Sequence, residues 1–170
     1  FADSVTAGSI FVEYTLEGSF PVTFGIDWIP MKADIDKRSI SQTSLGGSST
    51  VQSSGTNSAS GTIHNHTTLY IQPGFMVSPN NMIYATLGIS RADVKGKSAS
   101  ISSTDIDADR GLVGTKIGLG IKHVRDNGMF FKADYSSTDY DPVNWVTSNN
   151  TKGTADIEIE AYSLGIGKQF

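Results

Sequence analysis

Val113-Gly114-Thr115-Lys116-Ile117-Gly118-Leu119-Gly120-Ile121-Lys122-His123 is the stretch that decides the fold. Its period is two. Val113, Thr115, Ile117, Leu119 and Ile121 fall on one face; Gly114, Lys116, Gly118, Gly120 and Lys122 fall on the other. Successive side chains of a strand point to opposite sides, so this segment reads as a strand with one apolar face and one small or charged face. A soluble sandwich could show that once. Here it recurs along the chain.

Residues 5–16 place Ile10, Val12, Tyr14 and Leu16 opposite Phe11, Glu13 and Thr15. Residues 21–34 place Val22, Phe24, Ile26 and Trp28 opposite Thr23, Gly25 and Asp27. In 62–77, Leu69, Ile71, Phe75 and Val77 oppose Thr68, Tyr70, Gln72 and Gly74. In 82–94, Ile83, Ala85, Leu87 and Ile89 oppose Thr86, Gly88 and Ser90. Residues 129–140 set Phe131, Ala133 and Tyr135 against Lys132, Asp134 and Ser136. Residues 154–170 end with Tyr162, Leu164, Ile166 and Phe170 against Ser163, Gly165, Gly167 and Gln169. With 113–123 this makes seven strands. Pro30 and Pro73 remove ladder donors, so a bulge is expected near each.

Composition agrees. The 170 residues suffice for one domain, 1–170, and include 18 Gly, 5 Pro and no Cys. Thiolate metal sites and disulfides are therefore excluded. Net charge is −4, and no basic run exceeds Lys37-Arg38, so no nucleic-acid partner is expected. No stretch of eighteen apolar residues exists, which excludes a membrane-spanning helix but not membrane-spanning strands. A barrel strand needs apolar side chains only at alternate positions of about 9–11 residues. Mean hydropathy then stays near neutral, here −0.16. No targeting segment is visible before Phe1, so the chain reads as a mature or truncated product.

The connections alternate. Residues 17–20, 78–81 and 126–128 are tight turns, with Ser-Pro-Asn-Asn and Asp-Asn-Gly turn chemistry in the latter two. Residues 35–61, 95–109 and 141–153 are long and polar; Ser39 to Gly61 holds nine Ser. Short periplasmic turns and long extracellular loops are the rhythm of an all-β, antiparallel up-and-down transmembrane β-barrel. Phe170 at the periplasmic rim makes the last strand descend, and counting back makes the first descend too. Bacterial single-chain barrels have an even strand count, so eight strands are expected, with one ascending strand lost before Phe1. The alternative is a poorly patterned strand hidden in 39–61.

The closing residues Tyr162-Ser163-Leu164-Gly165-Ile166-Gly167-Lys168-Gln169-Phe170 resemble the C-terminal signal of bacterial outer-membrane proteins. Tyr162, Leu164, Gly165, Ile166 and Phe170 carry the likeness, while Lys168 stands where the family usually has an apolar residue. In rhythm the whole chain is similar to small eight-stranded outer-membrane barrels of the OmpA, OmpX and OmpW type. That resemblance implies a bacterial outer-membrane location, insertion by the barrel-assembly machinery, and lipid and lipopolysaccharide as neighbours.

Glu13, Asp27, Lys116, Lys122, Lys132 and Asp134 fall on the inner face. An eight-stranded lumen is only wide enough to be filled by side chains, and charges there must pair or meet water. A salt-bridged structural plug is the expected reading, with pairs such as Asp134–Lys116; a narrow polar conduit is its rival. His64 and His66, two apart on a strand, should share a face, but no third ligand is evident and no metal is expected. The acidic runs Asp105-Ile106-Asp107-Ala108-Asp109 and Asp139-Tyr140-Asp141 lack the calcium-loop pattern and read as solvated. His123 has no Ser within four residues, so no catalytic pair, enzyme activity or cofactor is expected. Phe20, Phe75, Phe130 and Phe170 should form one aromatic girdle, and Trp28, Tyr140 and Trp145 the other. Three functions remain: a structural or surface-interaction barrel whose loops meet extracellular partners, a small-solute channel, and a soluble ligand-binding β-barrel. The soluble barrel requires Ile117, Leu119 and Ile121 to point inward.

Overall fold

The computed structural model describes residues 6–44, 53–99, 106–146 and 152–169. It contains β1 (Ile10–Leu16), β2 (Val22–Ile29), β3 (Ala33–Ser44), β4 (Ser53–Ser78), β5 (Asn81–Ala99), β6 (Ile106–Val124), β7 (Met129–Val146) and β8 (Lys152–Lys168). All pairings are antiparallel, in the order β1-β2-β4-β5-β6-β7-β8, with β3 also on β4. β2 and β3 lie end to end along β4, broken around Pro30, so the sheet is seven strands across. β1 and β8 therefore run in the same direction. Among the described residues no backbone pairing joins them, although Gln169 Nε2 donates to Glu17 Oε1 at 3.2 Å.

The decisive stretch points outward. Ile117, Leu119 and Ile121 are 56, 69 and 59 % exposed, whereas Lys122 is 6 % exposed. The sheet thus carries its apolar side chains outside and its polar ones inside, the reverse of a soluble barrel. Inward Gly pairs in register with inward aromatics: Gly25 with Tyr70, Gly120 with Tyr84, Gly114 with Tyr140 and Gly167 with Phe130. A Cβ on any of these glycines would stand within 3 Å of the facing ring. A narrow lumen takes a large ring only where the next strand supplies no side chain.

Several expectations change. The strands continue through most of 35–61, 95–109 and 141–153, leaving the connections at 45–52, 100–105 and 147–151 outside the described residues. The Ser- and Gly-rich stretch 53–61 is the outer part of β4, paired to β3 and in part to β5; ladder hydrogen bonds use backbone and tolerate small polar side chains. Pro73 causes no register shift, because it faces Val22 where β2 begins and no further ladder needs its donor. On β4 the shifts lie at His64/Thr67 and Met76/Ser78 instead. Phe130 and Tyr140 do not join a girdle. Both are buried in the interior. Phe170 and the Trp145 side chain lie outside the described residues.

Toward the outer ends the polarity inverts. Ala92, Leu112 and Tyr140 form a buried cluster with Ile63, Val94, Ile157 and Ile159 packed against it. At that level the outward side chains on β7 and β8 are Asp139, Asp156, Glu158 and Glu160. There the sheet obeys the rule of water, apolar in and polar out.

Candidate functional site

The ionisable residues assigned to the interior lie in two groups, with Asp134 bonded separately to Tyr84 and Ser163. Glu13 on β1 reaches across to β6 and β7. Its Oε2 accepts from Lys122 Nζ at 2.8 Å, and its Oε1 accepts from Lys132 Nζ at 2.6 Å and from Tyr70 OH at 2.8 Å. The Glu13 side chain is 5 % exposed and the two lysines 7 and 11 %. Two ammonium groups on one carboxylate leave a net positive charge. Aromatic faces stabilise the surplus: Lys122 Nζ lies 4.2 Å from the Phe130 ring centre and Lys132 Nζ 3.8 Å from that of Phe11. The rings of Phe11 and Phe130 are 6.1 Å apart, so the plug is also packed.

Asp134 is held differently from the expected pairing with Lys116. Its Oδ1 accepts from Ser163 at 2.7 Å and its Oδ2 from Tyr84 OH at 3.3 Å. Gln72 Nε2 donates to Thr86 at 3.0 Å, and Thr15 and Thr23 share a hydrogen bond of 2.9 Å. Thr68 and Ser90, both fully buried, share one of 2.8 Å. Removing one hydroxyl strands the other, so Thr68→Val should cost about 1.5 kcal/mol in equilibrium unfolding, and Thr68→Val with Ser90→Ala less than the single change.

The second group is Asp27, His66 and Lys116, close enough to interact electrostatically. Among the described residues, Asp27 Oδ1, His66 Nδ1 and, elsewhere in the lumen, Ser136 Oγ are buried without a hydrogen-bond partner. His66 meets the ring of Tyr140 edge-on, centroids 6.3 Å apart. His64 does not accompany it. The shift between His64 and Thr67, with Asn65 at φ 53°, puts an extra residue into β4. His64 then follows the inward Ile63 onto the outer face. The notation of the sequence gives no sign of this, since an Asn in the left-handed region is one of many polar residues there. His123 Nδ1 lies 2.9 Å from Asn81 Oδ1, at the turn side. Asp105 and the side chains of Asp107 and Asp109 lie outside the described residues; Asp139 is exposed on the outer face.

The closing segment behaves as a lipid-facing strand. Tyr162, Leu164 and Ile166 project outward, and Gly165 lies against the Lys132 stem. The family model of the outer membrane protein β-barrel domain matches residues 2–170. No curated protein and no solved structure matches the chain. With an antiparallel sheet that is apolar outside, polar inside and matched over nearly its whole length, the chain belongs to the outer-membrane β-barrel family and is a protein of the bacterial outer membrane.

Proposed function

We propose that the protein is a non-catalytic structural barrel with a closed lumen, whose outer strands and loops meet partners at the cell surface. The observation that carries this reading is the Glu13 latch. One carboxylate from the first strand engages two lysines and a tyrosine from β4, β6 and β7, and Phe11 and Phe130 pack against it. An ion crossing the lumen would have to displace these contacts, each charge-assisted and shielded from water. Reconstituted into planar bilayers, the protein should show no stepwise conductance. Discrete open steps from the unaltered protein would overturn the reading.

A narrow conduit is the second reading, favoured by the unpartnered Asp27, His66 and Ser136 atoms. Buried polar groups without partners hold water in most proteins, and water beside the plug is what a conduit needs. Under that reading the unaltered barrel conducts, and Lys132→Met changes its ion selectivity.

A further inference from the structure

Two layers of different chemistry lie along the lumen. The inner one is the Glu13 latch. The outer one is apolar: Ala92, Leu112 and Tyr140, from β5, β6 and β7, are buried, and isoleucines of β4 and β8 pack on them. Five adjoining strands thus supply one layer. Tyr140 finds room in it because Gly114 faces it in register; a Cβ at Gly114 would stand 2.7 Å from the ring.

Three strands carry a member of each layer. β4 carries Tyr70 in the latch and Ile63 in the apolar layer, β6 carries Lys122 and Leu112, and β7 carries Lys132 and Tyr140. On β7 the two lie eight residues apart. That is about 27 Å along the strand, or about 20 Å of height for strands tilted by about 40°. The inward positions between the layers are polar or Gly: His66 and Thr68 on β4, Lys116 among glycines on β6, Ser136 and Thr138 on β7. Thr68, Ser136 and Thr138 are buried, and among the described residues His66 Nδ1 and Ser136 Oγ have no hydrogen-bond partner. Buried polar atoms of this kind are satisfied by water. The apolar layer offers that water nothing. A constriction without hydrogen-bonding groups dewets, and an ion reaching it must shed its hydration.

We infer that the lumen is shut twice, by the Glu13 latch at the inner end and by a dewetting apolar seal centred on Leu112 at the outer end, with a water-holding chamber between them. The inference rests on the closed-lumen reading and adds that water arriving from the cell surface is stopped at Leu112 and Tyr140, before it meets the latch. The chain has no Cys, so Ser136→Cys puts a single thiol in the chamber, four residues from Lys132 and four from Tyr140. In nanodiscs and chloride-free buffer, the Ser136→Cys barrel is exposed to silver ion, which travels where water does. It is then denatured, and the thiol left unblocked is counted with a maleimide.

Blocking should be slow in the barrel that carries Ser136→Cys alone. Adding Leu112→Ser should speed it about thirtyfold, the factor that corresponds to losing the burial of one leucine from the closed state. Adding Val113→Ser, the same kind of change on the outward-facing neighbour, should leave the rate as it was. Should Leu112→Ser lose its β-sheet circular dichroism, Ala92→Ser wets the same layer with one added atom. Rapid blocking without Leu112→Ser, in a barrel that passes no current in planar bilayers, would show that the latch alone closes the lumen and would overturn the second seal. Rapid blocking in a barrel that does pass current would remove the closed-lumen reading as well. A folded Leu112→Ser or Ala92→Ser variant that blocks no faster, or a Val113→Ser variant that blocks as fast as they do, would also overturn the inference.

Discussion

Replacing Glu13 by Ala should lower the stability of the folded barrel by about 4 kcal/mol, the largest loss expected from a single side chain here. The change leaves Lys122 and Lys132 buried without a counter-charge and removes the acceptor of Tyr70 OH. An uncompensated buried cation costs far more than the pair contributes, because desolvation is retained while the attraction is gone. Equilibrium unfolding in urea measures the loss. The triple change Glu13→Leu, Lys122→Met, Lys132→Met separates the two effects, since it removes charge and acceptor together. It should recover most of the stability, as apolar replacement of buried ion pairs often does. A Glu13→Ala protein as stable as the parent would show that the latch carries no structural weight.

Gly120→Leu should cost about 3 kcal/mol, from steric conflict instead of charge. A Cβ at Gly120 would lie 2.4 Å from Cζ of Tyr84. Tyr84 has little freedom to yield. It is 3 % exposed, and its hydroxyl is bonded to Asp134. Gly111→Ala is the matched control, because the nearest atom to a Cβ there is an Arg91 nitrogen at 3.5 Å. That change should stay within about 0.5 kcal/mol. Combining Gly120→Leu with Tyr84→Ala should cost less than the sum of the two, which a double-mutant cycle measures.

Much of this was legible from alternation alone. The faces of Ile117 to Lys122 are right because a period of two leaves no freedom once one side is in lipid. Glu13, Lys122 and Lys132 were assigned to the interior for the same reason. Their mutual contact was not legible. It depends on how the strands are staggered around the curved sheet, and that stagger is set by every ladder between β1 and β7. Asp134 likewise found a tyrosine and a serine where a lysine had been expected, because hydroxyls opposite it were nearer than Lys116. His64 and His66 parted at a single bulged residue, which changes the parity of everything beyond it. Phe130 and Tyr140 were assigned by residue type to the interface. Parity assigns them to the inside, and the facing glycines give them room there. Residues 53–61 read as loop because Ser, Asn and Gly have weak strand preference alone, yet their backbones pair between two neighbouring strands.

The latch has a consequence for the order in which the molecule can be assembled. Glu13 is separated from Lys122 by 109 residues and from Lys132 by 119. A hairpin contact needs only adjacent strands; this one needs nearly the whole chain. Any partly threaded barrel that has inserted only its early hairpins holds Glu13 without either lysine, with its carboxylate in contact with water. The outer halves of β7 and β8, with Asp139, Glu158 and Glu160, must cross to the far side by the time those strands are in place. The β7–β8 hairpin supplies Lys132, so the second half of the Glu13 latch forms only once β7 lies beside β6.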